Sequence, residues 1–333
     1  GKRVYPKRVS RVRISLFPHN LRFMRTPKLI FVATAMLMAT FLSYGRGGGS
    51  AMSFSRIERD PVAAGMGFAG AASARDVAWS AFGNSAAIPF YSGTLDAGAV
   101  FHSWAPDAAS SDAFSLGAAL KTSGQIGLSL GMARHSFERY DIVDDYGVED
   151  GTFKPSAMVV NGGAGYRFSE NFGGGVNLRY IRQKNYPAKT DDAFAVDVMF
   201  HYKPLPDLAV TAGIFSIGSG VKSADGETSD LPSSVKVAGD YAYASGDHSF
   251  RGDLDLDYFF AGSFSAAAGV QYGYKGLAFL RGGWHYGAKD GVLPSFASIG
   301  AGCRLYGVKV DVAYITANKD IGGSLVIGLG YTF

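Results

Sequence analysis

From about residue 94 to the end of the chain, apolar and polar residues alternate along short runs. In the run FRGDLDLDYF, Leu254 and Leu256 share one parity, whereas Asp253, Asp255 and Asp257 take the other. Successive side chains of a β-strand point to opposite faces, so this alternation predicts strands with one apolar and one polar face. No helical period occurs in this region, which is therefore predicted to be all-β.

Turn residues divide the alternating region into about 14 predicted strands, an even number within the range of transmembrane antiparallel β-barrels. The strands are predicted to begin near Leu95, Phe114, Ile126, Met158, Gly173, Ala193, Leu208, Val235, Phe250, Phe264, Leu277, Ala297, Val308 and Ser324.

The connections between these strands alternate in length. Long ones at 137–153, 183–192 and 217–233 are predicted to be outer loops, and short ones such as 169–171 are predicted to be inner turns. Bacterial outer-membrane barrels have short periplasmic turns and longer extracellular loops. One connection, at 261–263, is short on the outer side.

A soluble β-sandwich would also alternate, but two features favour a barrel. Aromatic residues stand near many strand ends, and charges occupy the inward parity of long strands. The last strand closes with Tyr331 and Phe333 on its apolar face, which resembles the C-terminal signal of bacterial outer-membrane barrels. That resemblance implies location in the outer membrane, contact with its lipid, and recognition by the barrel-insertion machinery.

Residues 24–51 have the character of a secretory signal. Residues 24–51 combine positive charge with an apolar core over 29–42, which is too short for a membrane span. Residues 1–23 are basic and are interpreted as an upstream extension. The first 51 residues carry ten of the 32 basic residues and no acidic one, which leaves 22 basic against 28 acidic. The mature chain is thus acidic, which argues against nucleic acid as a partner. The lone Cys303 excludes an intramolecular disulfide.

Residues 52–92 precede the first strand and are rich in alanine and glycine. The run GMGFAG at 65–70 has the G-x-G-x-x-G spacing of dinucleotide sites, but no apolar strand precedes it and no βαβ alternation follows. We therefore interpret 52–92 as a hatch inside the barrel at 93–333. Gly83 is predicted to end one helical turn, Asn84 or Ser85 to cap another, and Pro89 to mark its exit.

The hatch resembles the PorV/PorQ family of Bacteroidetes outer-membrane proteins, whose architecture is related to FadL-type transporters. The matching residues are Gly65, Met66, Gly67, Ala69, Asp76, Phe82 and Asn84. Ser85 stands where the family usually has proline. The resemblance implies a barrel of about 14 strands with an N-terminal hatch. It also implies either an accessory role in type IX protein secretion or uptake of hydrophobic solutes.

Polar residues of inward parity are predicted to line a watery lumen, where Asp255→Arg would cost little. These residues are Arg179, Asp197, His201, Asp240, Asp253, Asp255, Asp257, Arg281, His285 and Arg304. The aspartates could suggest a metal site, but same-face residues of one strand lie nearly 7 Å apart. Without a nucleophile motif or paired histidines, the sequence predicts no catalytic residue, metal or cofactor.

Two hypotheses for function remain at this level. One is a non-enzymatic PorV/PorQ-type protein that acts in secretion or as a scaffold, with secreted proteins or another outer-membrane protein as partners. The other is a FadL-like transporter of hydrophobic or amphiphilic small molecules. A plain diffusion porin is disfavoured by the hatch. An apolar pocket between hatch and wall, with a lateral gap between strands, would favour transport.

Overall fold

The computed structural model describes residues 50–333 apart from 106–109, 123, 144–145, 147–148, 188, 223–227 and 289–290. The predicted signal and upstream extension thus lie outside the described residues, except for residues 50 and 51. No helix in the described part of the chain is long and apolar enough to cross a membrane.

Fourteen antiparallel strands form a closed barrel, because the first strand pairs with both the second and the last. They are β1 Leu95–Trp104, β2 Ser111–Lys121, β3 Ile126–Phe137, β6 Ser156–Ser169, β7 Phe172–Tyr186, β8 Lys189–Leu205, β9 Leu208–Gly218, β12 Ser234–Ser245, β13 His248–Phe259, β14 Ser263–Tyr274, β15 Ala278–Gly287, β16 Phe296–Leu305, β17 Val308–Thr316 and β18 Leu325–Thr332. The predicted fold class is confirmed.

The predicted outer loops contain more structure than expected. Two short hairpins lie in them: β4 Tyr140–Val143 with β5 Glu149–Phe153, and β10 Val221–Lys222 with β11 Thr228–Ser229. The predicted loop at 183–192 is mostly strand, since β7 and β8 continue to pair up to Tyr186 and Lys189. An ion pair of 2.8 Å between Arg182 and Asp192 joins the two strands there, so charged residues extend the hairpin.

The two faces of the wall differ as alternation requires. On β13, the side chains of Leu254 and Leu256 are exposed on the outside, whereas Asp253, Asp255 and Asp257 are buried on the inside. Apolar residues on the outer face suit lipid contact, because a membrane barrel needs its apolar surface outside.

Residues 52–92, which we call the lumenal segment, pack inside the barrel against the inward face of the wall. They form the short helix α1 Pro61–Gly65 and three 3-10 helices at Ser53–Arg56, Ser80–Phe82 and Ser85–Phe90. The aspartate before α1 caps it, since the Asp60 carboxylate accepts a hydrogen bond of 2.8 Å from the Val62 amide.

Two local predictions for this segment need correction. Gly83 does follow the 3-10 helix that ends at Phe82, but the Asn84 side chain does not cap the next one. Its amide instead bonds away from the helix end, to the Ala71 carbonyl and the Thr211 hydroxyl. Pro89 lies inside the last 3-10 helix rather than at its exit.

Candidate functional site

The lumenal segment spans the barrel from one end to the other. At the end with the long loops, the Phe54 ring packs on His135 and Phe137. At the end with the short turns, the Phe90 ring lies 4.9 Å from the His201 ring, and the Lys121 ammonium donates to the Tyr91 carbonyl. In outer-membrane barrels these ends face the outside and the periplasm, respectively. The segment therefore crosses the whole path through the lumen.

Small residues allow the segment to touch the backbone of the wall. A Cβ added to Gly283 would lie 2.0 Å from the carbonyl carbon of Met66, and one added to Gly269 would lie 2.4 Å from the Met66 Cβ. Gly67 has a φ of 71°, a conformation that favours glycine, and its amide donates to the Ser298 hydroxyl at 2.8 Å. The glycine run of the sequence is thus a close-packing surface.

The same contacts exclude a dinucleotide loop. In such a loop the glycines precede a helix and expose their amides to phosphate. Here Gly67 and Gly70 follow α1, and the amides of Gly67, Gly70 and Ala71 donate to side chains of the wall.

Asp76 anchors the segment to the wall toward the short-turn end. Its carboxylate lies 3.2 Å from the Lys309 ammonium and 3.6 Å from the Arg304 guanidinium. Burial opposes ionisation, but the Lys309 and Arg304 charges hold the pKa of Asp76 well below its usual range. Next to it, the Asp96 carboxylate accepts from the amides of Val77 and Ala78 at 2.9 and 3.2 Å.

Near Asn84 and Ser85, uncharged side chains hold the lumenal segment against the wall. The Asn84 amide donates to the Thr211 hydroxyl at 2.9 Å, and the Ser85 hydroxyl donates to the Asn177 side-chain carbonyl at 2.5 Å. Proline at position 85 would lose this second bond, which gives the departure from the family motif a structural role. Phe82 packs over Gly131, where an added Cβ would lie 2.4 Å from the ring.

The predicted lumen-lining residues are buried except for Arg304, which is partly exposed, and most of them form ion pairs with lumenal or wall residues. Asp253 pairs with Arg251 at 2.7 Å, and Asp257 pairs with Lys236 and Arg56. The Asp255 carboxylate accepts from the amides of Gly70 and Ala71. The expectation of a watery acidic stripe, where arginine at 255 would cost little, is therefore wrong: the lumenal segment covers these carboxylates.

The other predicted residues fall into separate groups along the wall. Asp240 pairs with Arg75 and Arg251, each at 2.8 Å, and Arg179 pairs with Asp197 at 2.9 Å. Asp311 joins two more predicted residues, because it pairs with both Arg281 and Arg304 at 2.8 Å. The two predicted histidines lie apart: His201 bonds the Thr211 hydroxyl, and His285 stacks on Phe296.

The residues predicted to carry the C-terminal signal lie on the outer surface. Tyr331 and Phe333 are exposed, and their ring centroids are 4.3 Å apart. Cys303 is also exposed.

Several residues of this network were missing from the predicted set. Alternation in VKVDVAYI already places Lys309 and Asp311 on the polar face, so a signal was available for these two. Arg56, Arg59 and Asp60 belong to an irregular segment, where no period indicates which way a side chain points. In the described part of the chain, no group of His, Cys, Asp or Glu side chains is arranged to hold a metal ion.

A cavity of about 120 Å³ lies between the lumenal segment and the wall. Its lining combines aromatic rings with charged and hydrogen-bonding side chains. The aromatic side chains are Phe68, Trp79, Phe82, Phe215 and Phe259, and the polar ones include Arg56, Glu58, Asp60, Asn84, Lys236 and His285. This mixture suits a molecule with an apolar body and a polar end.

The wall beside this cavity is closed but irregular between β8 and β9. Val196 pairs with Ile217 and Val198 with Ile214, so two residues of β9 oppose one residue of β8. Ser216 in this bulge has a φ of 57°, and its amide donates to the Asp197 carboxylate at 2.6 Å. Bulges of this kind redirect side chains, and here the bulge positions the Ser216 hydroxyl to bind Arg179.

Neither a family model nor a curated protein matches the chain in sequence. Solved structures do match it in fold. The Ralstonia pickettii toluene transporter TbuX is 12% identical, with a TM-score of 0.56, over 87% of this chain and 99% of that chain.

Two further structures are similar. The monoaromatic hydrocarbon channel CymD is 15% identical, with a TM-score of 0.56, over 82% of this chain and 96% of that chain. The P. putida toluene transporter TodX is 11% identical, with a TM-score of 0.55, over 87% and 99% of the two chains. The similarity shows a shared fold, and with the closed barrel it supports location in the Gram-negative outer membrane.

Proposed function

We propose that the protein is a conduit for small hydrophobic or amphiphilic molecules across the outer membrane, with residues 52–92 as its movable hatch. The observation that carries the proposal is the cavity between this segment and the wall. It combines aromatic and polar lining within a lumen that the segment otherwise fills.

The contacts of the segment are of a kind that can be released. Its residues touch the wall through glycine positions, hydrogen bonds and ion pairs, such as the one between Asp76 and Lys309. These contacts join the segment to the wall and are separate from the hydrogen bonds between barrel strands. A shift of the segment would therefore break them without opening the strand pairing of the barrel.

The shared fold adds support, because the similar structures include toluene transporters and a monoaromatic hydrocarbon channel. None of them is described as an enzyme, which favours a non-enzymatic role. The lateral gap that would also favour transport is not seen, since each barrel strand pairs with both neighbours in the described residues.

The secretion role implied by the PorV/PorQ resemblance has no comparable support among these structures. From that interpretation we keep the proposal that the motif residues between Gly65 and Asn84 belong to the hatch. We also retain the proposal that Tyr331 and Phe333 present the C-terminal strand to the insertion machinery.

Uptake by whole cells tests the proposal, because lipopolysaccharide slows hydrophobic solutes more than a phospholipid bilayer does. Cells that express the protein and matched cells without it are compared for uptake of toluene, 3-phenylpropan-1-ol and glucose. We expect faster uptake of the first two and unchanged uptake of glucose. Equal acceleration of glucose would indicate a diffusion porin, and no acceleration of any solute would refute the conduit.

A further inference from the structure

Four side chains that line the lumenal cavity carry polar atoms without a hydrogen-bond partner among the described residues. They are the Ser55 hydroxyl, the Asn84 carbonyl oxygen, the Arg179 Nε and both ring nitrogens of His285. The backbone of Gly67 lies beside the His285 ring, outside hydrogen-bond geometry. All four side chains are more than nine-tenths buried. Buried polar groups are normally paired, so their convergence on one cavity indicates a place for a polar ligand group.

The carboxylates that line the cavity outnumber its cationic side chains. Each basic side chain that lines it already has an acidic partner: Arg56 pairs with Asp257, Lys236 with Asp255 and Asp257, and Arg179 with Asp197. Of the acidic lining residues, Asp76 is paired with Lys309 and Arg304. Among the described residues that line it, the cavity thus offers no unpaired cation to a ligand.

Glu58 and Asp60 are the lining carboxylates that no ion pair neutralises within the described residues. The Glu58 carboxylate accepts from the amides of Arg59 and Asp60, each at 2.9 Å, and Asp60 accepts from the Val62 amide. The neighbouring Arg59 guanidinium donates to the carbonyls of Phe54 and Ser55. It lies 5.7 Å from the centroid of the Phe82 ring and is not ion-paired with either carboxylate in the described residues.

The electrostatic cost of this arrangement is visible at Asp60. Burial, together with the Asp76 and Glu58 carboxylates, raises the pKa of Asp60 to about 7. A ligand cation beside these groups would relieve that repulsion, whereas a ligand anion would increase it.

Aromatic rings complete the surroundings. Phe68, Phe82 and Phe259 line the same cavity, and the Arg56 guanidinium already lies 5.3 Å from the centroid of the Phe259 ring. Ring faces attract cations as well as apolar groups.

We infer that the lumenal cavity binds a small amphiphile whose apolar part is aromatic or short alkyl and whose polar end is a protonated amine. The ammonium group is placed at Glu58 and Asp60, and the apolar part lies among Phe68, Phe82 and Phe259. This inference rests on the proposed function, since it names the class of molecule that the conduit selects.

Three probes of matched shape test the inference: 3-phenylpropylamine, 3-phenylpropan-1-ol and 3-phenylpropanoate. Binding to the purified full chain in detergent is measured by isothermal titration calorimetry, with each probe also titrated into empty micelles. We expect the amine to bind roughly tenfold more tightly than the carboxylate, or about 1.4 kcal/mol by the relation between affinity and free energy, with the alcohol between them.

The variant Glu58→Gln keeps the size of the side chain and its acceptor oxygen. We expect it to weaken amine binding roughly tenfold and to leave alcohol binding unchanged. Asp60→Asn, which can still cap α1, should weaken amine binding in the same direction. Glu170→Gln, on an exposed turn outside the cavity, serves as the matched control and should bind all three probes as the unaltered chain does.

Two outcomes overturn the inference: carboxylate binding as tight as amine binding, or amine binding that neither Glu58→Gln nor Asp60→Asn weakens. Uptake of the alcohol by whole cells separates the two proposals. If the alcohol is taken up but the amine preference is absent, the conduit stands and the amine site fails. If no probe binds and none is taken up, both fail.

Discussion

The outer and inner faces of the same strands follow different rules. On β15, a Cβ added to Gly282 on the outer face meets nothing within 4 Å, whereas one added to the adjacent Gly283 would collide with the backbone of Met66. On β13, Leu254 is 50% exposed and Asp253 is 5% exposed. The outer face needs only to be apolar, because lipid adapts to its shape. The inner face must fit one particular segment of the chain, residue by residue.

Removing the inner partner is expected to have the largest effect. Deletion of residues 56–90 leaves every barrel strand and its pairing in place, so the barrel should still insert. Without the segment, the lumen of a 14-stranded barrel is open, and single-channel conductance in planar bilayers should rise at least roughly tenfold, since wider barrels hold aqueous channels. Equal conductance of the intact and deleted chains would mean that the segment does not block the lumen.

A charge placed on the outer face tests whether that face contacts lipid. Leu254 lies near the middle of β13, so Leu254→Arg should cost about 2–4 kcal/mol of unfolding free energy in lipid, as expected near the bilayer midplane. Leu254→Ala is the control and should cost clearly less. The measurement is reversible urea unfolding in phospholipid vesicles, and equal costs for the two variants would place Leu254 away from the lipid.

Substitutions at the adjacent glycines Gly282 and Gly283 of β15 should differ less in free energy, but they compare the two faces at neighbouring positions. Gly283→Ala forces a side chain into the backbone of the lumenal segment and should weaken its docking by about 1–3 kcal/mol, the usual cost of overpacking. Gly282→Ala has open space on the outer face and should leave docking unchanged. Hydrogen exchange of the amides of residues 65–70 reports docking, and equal protection in both variants would contradict the packing described here.

The smallest expected effect is a dependence of docking on pH. Asp60 has a pKa of about 7 in the folded protein, above the value of about 3.9 for an unfolded chain. Its contribution is fully present below pH 4 and is lost as the pH rises through 7. Asp76, whose pKa is lowered, acts oppositely, with a contribution that is lost only as the pH falls below about 4.

Between pH 6 and 7.5, docking should therefore weaken by about 1 kcal/mol. The readout is hydrogen exchange of the lumenal segment, corrected for the intrinsic exchange rate at each pH. Asp60→Asn should abolish the trend. A trend that survives this substitution would contradict its assignment to Asp60.

The sequence predicted the wall far better than its contents, and the reason is physical. Period-two alternation is a local property, so it located all 14 barrel strands, with β8 the least accurate because the charged residues 189–192 extend it beyond the predicted start. Contacts across the lumen are not local. The pairing of Asp311 with Arg281 or of Arg56 with Asp257 depends on which strands meet the segment, and no period encodes that.

The glycine run at 65–70 was predicted better than the other lumenal contacts but less completely than the strands. Its composition indicated close packing, but the partners of Gly67 and Met66 on β14–β16 became clear only from the fold. The short outer hairpins β4–β5 and β10–β11 were missed because their strands are too short and polar to alternate recognisably.

The central claim, that the lumenal segment must move for solutes to pass, is tested most directly by a reversible tether. A Cβ at Gly328 would lie 3.1 Å from the Pro61 Cβ, close to the spacing of about 3.8 Å in disulfides. The variant Pro61→Cys/Gly328→Cys, with Cys303→Ser to remove the native thiol, joins α1 to β18 when oxidised. Uptake of 3-phenylpropan-1-ol by whole cells is then measured before and after reduction. We expect uptake to be blocked in the oxidised protein and restored on reduction; equal uptake in both states would contradict the account.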